Sequence, residues 1–208
     1  MMHKLIVWWF GLISQYGYGG IVAAMAAESS IIPLPSEVVI PPAAFWASKG
    51  QLSLIGVIVA GTVGSYIGAT VMYWTSRWLG RPLLLKYGKY VMIPPAKLEQ
   101  AERFLQRFEN GGVFFARLLP VVRHLIGIPA GIIRAPFLNY SISTILGSAT
   151  WCTVLALFGQ SVLGAEPDLL NDPDKMIHVL KAKLLWIVVA VLVMTVAYVA
   201  MVFATRKK

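Results

Sequence analysis

The chain has 208 residues, of which 58% are hydrophobic and only 13% are charged. A soluble domain carries about 25% charged residues, so the composition excludes an ordinary soluble protein and predicts a single integral membrane domain over residues 1–208. The formal net charge is +9, and because the basic residues lie in short polar segments beside apolar runs, it favours anionic lipid headgroups as partners over nucleic acid.

Four apolar segments are long enough to cross a membrane, since a helical span needs about 20 residues. They cover about residues 5–27, 52–79, 138–163 and 184–204. The second segment holds Gly61, Gly64 and Gly68, whose spacing predicts a helical face that packs closely against a neighbouring helix. We expect this helix to stop before Pro82.

Two further apolar stretches are interrupted too often to form simple spans. The first covers about residues 28–50 and has prolines at positions 33, 35, 41 and 42. The second covers about residues 111–137 and is interrupted by Gly111, Gly112, Pro120, Pro129, Gly131 and Pro136. Irregular backbone at membrane depth is tolerated only where protein or a cavity surrounds it. Both stretches are therefore predicted to form re-entrant helical hairpins, and a polar helix over about residues 96–110 is predicted to lie on the membrane surface.

The distribution of charge predicts the orientation of the chain. The basic stretch 77–107 and the C-terminal residues 206–208 are expected in the cytoplasm by the positive-inside rule, and the acidic loop after Leu163 is expected outside. Both termini are then cytoplasmic, and the two hairpins enter from opposite faces. The predicted fold is all-α, with about four transmembrane helices and two opposed re-entrant hairpins that resemble an inverted repeat.

The two predicted hairpins carry charges of opposite sign. Arg117 and Arg123 present planar forks of donors that suit phosphate, so they predict a site for the phosphate of a lipid headgroup. Carboxylates at membrane depth are candidate proton carriers, so Glu28 and Glu37 predict proton coupling or gating. The alternative is that these four charges pair with each other and only hold the hairpins together.

The remaining polar residues predict no further chemistry. Arg134 is interpreted as interfacial, and His124 as a packed or interfacial residue. Cys152 is the only cysteine, which excludes an intrachain disulfide. Because no metal-ligand spacing appears, we expect neither a metal ion nor a cofactor.

Three motifs are similar to those of the DedA family of bacterial inner-membrane proteins, in the wider superfamily of SNARE-associated Golgi proteins. They are Glu28 followed by Pro33-Leu34-Pro35-Ser36-Glu37, the glycine-rich helix from Gly61 to Gly80-Arg81, and Phe115-Ala116-Arg117-Leu118-Leu119-Pro120-Val121-Val122-Arg123 with Ala130-Gly131. The resemblance extends over about residues 17–203 and places the family's acidic pair on Glu28 and Glu37 and its arginine pair on Arg117 and Arg123. Some relatives have an acidic residue where this chain has Ser65. If that residue is needed for proton coupling in those relatives, its absence weakens the expectation of coupling here.

The resemblance implies a multi-pass transporter of the bacterial inner membrane rather than an enzyme. The expected substrate is a phosphate-bearing lipid, with undecaprenyl phosphate returned to the cytoplasmic leaflet and protons as the coupled partner. The alternatives are an uncoupled phospholipid scramblase, a phosphatidylethanolamine flippase, a structural or chaperone-like membrane protein, and a lipid phosphatase. For the phosphatase the candidate nucleophiles are Ser29, Ser30, Ser36 and His124. Helix faces with small residues are compatible with a homodimer.

Overall fold

The computed structural model describes residues 11, 13, 15–30, 36, 39–87, 103, 105, 111–119, 122–165 and 189. The helices are α1 (Tyr18–Glu28), α2 (Ile40–Ser48), α3 (Leu54–Tyr87), α4 (residues 111–118), α5 (Val122–Leu125), α6 (Gly127–Ile132) and α7 (Phe137–Ala165). These ranges contain no strand, in agreement with the predicted all-α class. Glu37 and the acidic loop lie outside the described residues. So does the fourth predicted span, apart from position 189, and so does the predicted surface helix, apart from positions 103 and 105.

Two helices have the length and hydropathy of membrane spans. They are Leu54–Leu79 within α3 and Phe137–Val162 within α7, each of 26 residues, which confirms long apolar helices at the positions of the second and third predicted spans. About half of each span is buried. The other face of α3 exposes apolar side chains at every fourth position, namely Ile55, Val59, Val63, Ile67 and Val71. A continuous exposed apolar ridge is a liability in water and is what a helix facing lipid requires.

The structure modifies one expectation about a helix and contradicts another. The described residues of the predicted first span are helical on both sides of Gly17, but its φ of 55° lies in the left-handed region and interrupts the helix, so that α1 begins at Tyr18. Glycine adopts this conformation readily because it has no Cβ. At its far end α3 does not stop before Pro82 but continues to Tyr87, although an interior proline removes one intrahelical hydrogen bond and crowds the preceding turn. Prolines are tolerated in membrane helices where other groups satisfy the freed backbone carbonyl.

Close packing of α1 on α3 depends on two of the predicted glycines. A Cβ added to Gly64 would lie 2.5 Å from the carbonyl oxygen of Val22, and one added to Gly68 would lie 2.3 Å from that of Ala26. Neither contact is sterically allowed, so the two backbones approach this closely only because these positions lack side chains. The prediction that the glycine-rich face serves helix packing is confirmed.

The remaining helices surround the same region. α7 packs against α2 and α3, while α6 packs against α3. The largest fully buried side chains include Tyr73 on α3 and both Tyr140 and Trp151 on α7. These aromatic residues lie beside Glu28 of α1, Arg117 of α4 and Arg123 of α5.

Candidate functional site

A buried ion pair joins the two predicted hairpin regions. Glu28, the last residue of α1, and Arg123, in α5, are only 1% and 6% exposed. Nη2 of Arg123 donates to Oε1 of Glu28, and the same oxygen accepts a hydrogen bond of 3.0 Å from the backbone N–H of Ser36. Buried charges are tolerated when they are paired and hydrogen-bonded, so this contact stabilises the junction of two segments that are far apart in sequence.

Arg117 lies beside this pair and is held by neutral groups. Its Nη1 donates to the carbonyl oxygen of Arg123 at 3.0 Å, and its Nη2 donates to Oη of Tyr140 at 2.9 Å. Tyr140 in turn donates to the carbonyl oxygen of Ala69 at 3.1 Å. Within the part of the chain that the structure describes, Arg117 has no carboxylate partner, and its buried Nε has no hydrogen-bond acceptor. The described site therefore holds two guanidinium groups and one carboxylate.

Aromatic rings of α7 stabilise both guanidinium groups. Cζ of Arg117 lies 6.0 Å from the ring centroid of Tyr140, and Cζ of Arg123 lies 5.6 Å from that of Trp151. Both contacts fall within the range of cation–π attraction. The indole Nε1 of Trp151 also donates to Oγ of Ser36 at 3.3 Å. Trp151 thus fixes the segment that donates to Glu28 as well as the arginine that pairs with it.

A small polar cavity lies between the two arginines and α7. Its lining consists of Ser29, Ser65, Arg117, Arg123, Ser148, Trp151 and Cys152. Its volume of about 10 Å³ is close to the minimum that accepts one water molecule. A phosphate group does not fit without movement of the walls. The described conformation is therefore closed to an anion of that size.

The cavity lies near the middle of the two spans. Ser65 is close to the midpoint of Leu54–Leu79, and Ser148 is close to the midpoint of Phe137–Val162. Both hydroxyl-bearing residues are at most 5% exposed. Since each helical residue advances about 1.5 Å, the cavity lies roughly 16–21 Å along the helices from either end of a span.

The structure brings together three of the four residues that the sequence predicts as site residues. Glu28 contacts Arg123 directly, and Arg117 contacts the backbone of Arg123. Glu37 lies outside the described residues. Arg134 is exposed and does not line the cavity, in line with its interpretation as interfacial.

Several residues at the site were not among the four predicted site residues. His124, interpreted as packed or interfacial and a candidate only under the phosphatase alternative, has its Nδ1 3.1 Å from the carbonyl oxygen of Glu28. Tyr140, Thr144 and Ser148 are buried polar residues of α7 at intervals of four. A polar stripe at helical spacing on an otherwise apolar helix is the signal that could have found this face. Ser65 was noted only as a departure from relatives.

Comparison with known proteins agrees with the motifs. A model of the VTT domain matches residues 34–161. A protein of Bacillus subtilis named Undecaprenyl phosphate transporter A is 36% identical over 168 residues, which cover 81% of this chain and 80% of that protein. A Staphylococcus aureus protein of the same name is 27% identical over 72% of this chain and 76% of its own length.

Not every similar protein carries a transporter name. A Lactococcus lactis protein named Alkaline phosphatase-like protein is 32% identical, with 73% of each chain covered. No solved structure shows a significant match. Because the domain model matches more than half of the chain and a relative above 30% identity covers most of it, the chain belongs to the DedA family of VTT-domain membrane proteins.

Proposed function

We propose that this protein is a transporter that moves a phosphate-bearing lipid across the bacterial inner membrane, and that it is not an enzyme. The observation that carries the proposal is the buried guanidinium of Arg117, which has no carboxylate partner among the described residues. Arginine stays protonated in proteins, and an uncompensated buried charge costs several kcal/mol. A bound phosphate would offset that cost, and its oxygens match the donor fork of arginine.

The proposed substrate is undecaprenyl phosphate. Two relatives bear the name of its transporter, and the site needs to accommodate only a phosphate, since a polyprenyl tail can stay in the bilayer. Two opposed re-entrant hairpins would give the site access from each face in turn. The location of the cavity near the middle of both spans supports such an arrangement.

Proton coupling would follow from competition for Arg123. In the closed state Glu28 occupies Nη2 of this arginine. Protonation of the carboxylate removes its charge and weakens the pair, which leaves Arg123 free to join Arg117 around a phosphate. Glu37 is proposed to have the equivalent role for access from the other face. Release of the phosphate would then accompany loss of the proton.

A transport assay in proteoliposomes tests this proposal. Labelled undecaprenyl phosphate should move between leaflets at a rate that depends on a pH gradient, whereas labelled phosphatidylethanolamine should move much more slowly. Arg117→Gln should abolish movement, and Arg117→Lys should retain part of it, because lysine keeps the charge without the planar fork. Lys49→Gln is the matched control, since Lys49 is an exposed basic residue outside the cavity.

The same preparation separates the competing functions. Movement of both lipids at one rate, with or without the gradient, would establish an uncoupled scramblase instead. Release of inorganic phosphate from an undecaprenyl diphosphate would establish a phosphatase. The phosphatase is less favoured by the geometry, because Nδ1 of His124 contacts the carbonyl oxygen of Glu28 rather than a serine hydroxyl.

A further inference from the structure

A second pair of arginines, Arg77 and Arg134, lies at one end of the two spans, away from the buried cavity. We propose that these two residues form an interfacial binding site for the phosphate of an anionic lipid headgroup. The site is distinct from the Arg117–Arg123 pair, and its existence does not depend on transport.

The guanidinium of Arg77 is held in place by aromatic residues of its own helix. Its Cζ lies 5.4 Å from the ring centroid of Trp74 and 5.9 Å from that of Tyr73. Its Nη1 donates to Oη of Tyr73 at 2.7 Å. Arginine has five N–H donors, so most of its donors stay available. A guanidinium fixed by stacking loses less conformational freedom when it binds an anion.

The backbone of Arg134 is fixed close to this guanidinium. Oη of Tyr73, which accepts from Arg77, donates to the carbonyl oxygen of Ala135 at 2.6 Å. Gly131, the residue whose carbonyl accepts from the N–H of Arg134 at 3.1 Å, packs directly on the backbone N of Arg77, since a Cβ there would lie 3.0 Å from it. The turn between α6 and α7 that carries Arg134 therefore packs directly against the part of α3 that carries Arg77.

Arg134 has a left-handed backbone conformation, for which glycine is energetically preferred. The N–H of Ala135 donates to the carbonyl of Ala130, and that of Arg134 to the carbonyl of Gly131, which is the Schellman pattern at a helix C-terminus. The left-handed residue of this motif is usually glycine, yet Arg134 has a φ of 53° and is the non-glycine residue with positive φ among those described. Its side chain is exposed. Strain of this kind tends to persist at functional positions.

The pair lies where lipid headgroups would be. Arg77 is near the end of the span Leu54–Leu79, and Arg134 precedes the start of the span Phe137–Val162. The ring of Phe137 is 5.4 Å from that of Trp74, so these two span ends meet at the same face. Trp78 beside them is 79% exposed, and tryptophan is typical of the membrane–water interface.

Charge identifies the occupant of this site. Neither Arg77 nor Arg134 forms an ion pair within the described residues. Two guanidinium groups at headgroup depth favour a phosphate that carries net negative charge. A zwitterionic headgroup carries its own cation and should compete poorly.

Tryptophan quenching by brominated lipids tests the site in the full-length protein. The protein is reconstituted in phosphatidylcholine bilayers that contain a small fraction of phosphatidylglycerol or of phosphatidylcholine, brominated near the top of its acyl chains. Wild-type protein should be quenched more by the anionic lipid. Arg134→Gly should reduce this excess by about twofold or more, because one of two charged donors is lost, while thermal stability should rise because glycine relieves the left-handed strain.

Three further variants test whether the excess quenching by the anionic lipid arises at this site. Arg77→Gln should reduce the excess as Arg134→Gly does, and Trp78→Phe should remove most of it, because Trp78 is the exposed reporter at this site. Lys49→Gln is the control, since Lys49 precedes α3 and so lies near the opposite ends of the spans. If Lys49→Gln and Arg134→Gly reduced the excess quenching equally, the excess would depend only on the net charge of the protein, and the proposal would be overturned. Excess quenching that persists in both Arg77→Gln and Arg134→Gly would overturn the proposal as well. So would excess quenching that persists in Trp78→Phe.

Discussion

Replacement of Glu28 by glutamine keeps the shape of the ion pair but removes its negative charge. The amide oxygen can still accept from Arg123 and from the N–H of Ser36, as Oε1 does now. However, the site would then hold the charges of Arg117 and Arg123 with no carboxylate from Glu28. Breaking a buried pair costs about 3–5 kcal/mol, and a retained neutral hydrogen bond returns about 1 kcal/mol. We expect Glu28→Gln to lower the free energy of unfolding by about 2–4 kcal/mol.

The reverse substitution, Arg123→Gln, should behave differently because the two charged groups are not equivalent. It leaves the carboxylate of Glu28 buried without its arginine, but a carboxylate can take up a proton, whereas an arginine cannot lose one. As the pH falls, protonation removes the carboxylate charge that Arg123 no longer compensates, so the loss of stability should shrink. The loss caused by Glu28→Gln should stay constant while Glu28 of the wild-type protein is ionised, and should shrink only at the lower pH where that carboxylate takes up a proton beside Arg123. The double variant should be more stable than the sum of the single losses predicts, by about 0.5–3 kcal/mol.

The measurement is equilibrium unfolding of the four proteins in a mild detergent at several pH values. Lys49→Gln serves again as the control for loss of an exposed basic residue. Additive losses in the double variant would refute the inference that Glu28 and Arg123 stabilise the fold as a pair. A loss for Arg123→Gln that does not shrink as the pH falls would refute the inference that this variant leaves a buried carboxylate uncompensated.

Three other substitutions test the packing around the site. Gly68→Ala should cost about 1–3 kcal/mol through overpacking, because its Cβ would lie 2.3 Å from a carbonyl oxygen of α1. Gly19→Ala, whose Cβ meets nothing within 4 Å, should instead stabilise the protein by about 0.4–1 kcal/mol, and thermal unfolding separates the two. Tyr140→Phe should cost about 1–3 kcal/mol because it leaves Nη2 of Arg117 without an acceptor, and it should slow lipid transport; unchanged transport would show that the position of Arg117 does not depend on this hydroxyl.

The spans and the close helix contact could be predicted because each depends on a pattern within one segment. α3 and α7 follow from unbroken apolar runs, and the contact with α1 follows from the spacing of Gly64 and Gly68. The proximity of Glu28 and Arg123 required one more step. Opposite charges in apolar surroundings have few alternatives to pairing, so their meeting was expected even though the residues are far apart in sequence.

Other parts of the site depend on how two elements are aligned, which no single segment encodes. Ser65 and Ser148 line one cavity only because α3 and α7 pack against each other along their spans. The positive φ of Arg134 opposes its intrinsic preference, so propensity alone predicts another conformation. Continuation of α3 past Pro82 likewise opposes the local preference, because an interior proline costs a helix about 3 kcal/mol and the rest of the 34-residue helix outweighs that cost.

Two tyrosines separate the buried arginine from the interfacial one. Arg117 donates to the hydroxyl of Tyr140, and Arg77 donates to the hydroxyl of Tyr73. The two rings are stacked with centroids 4.9 Å apart and are almost fully buried. If one lipid uses both proposed phosphate sites, the direct path between them runs past these rings. Because Tyr73 belongs to α3 and Tyr140 to α7, that path opens only when these helices separate at the tyrosine pair, a change distinct from loss of the Glu28–Arg123 contact.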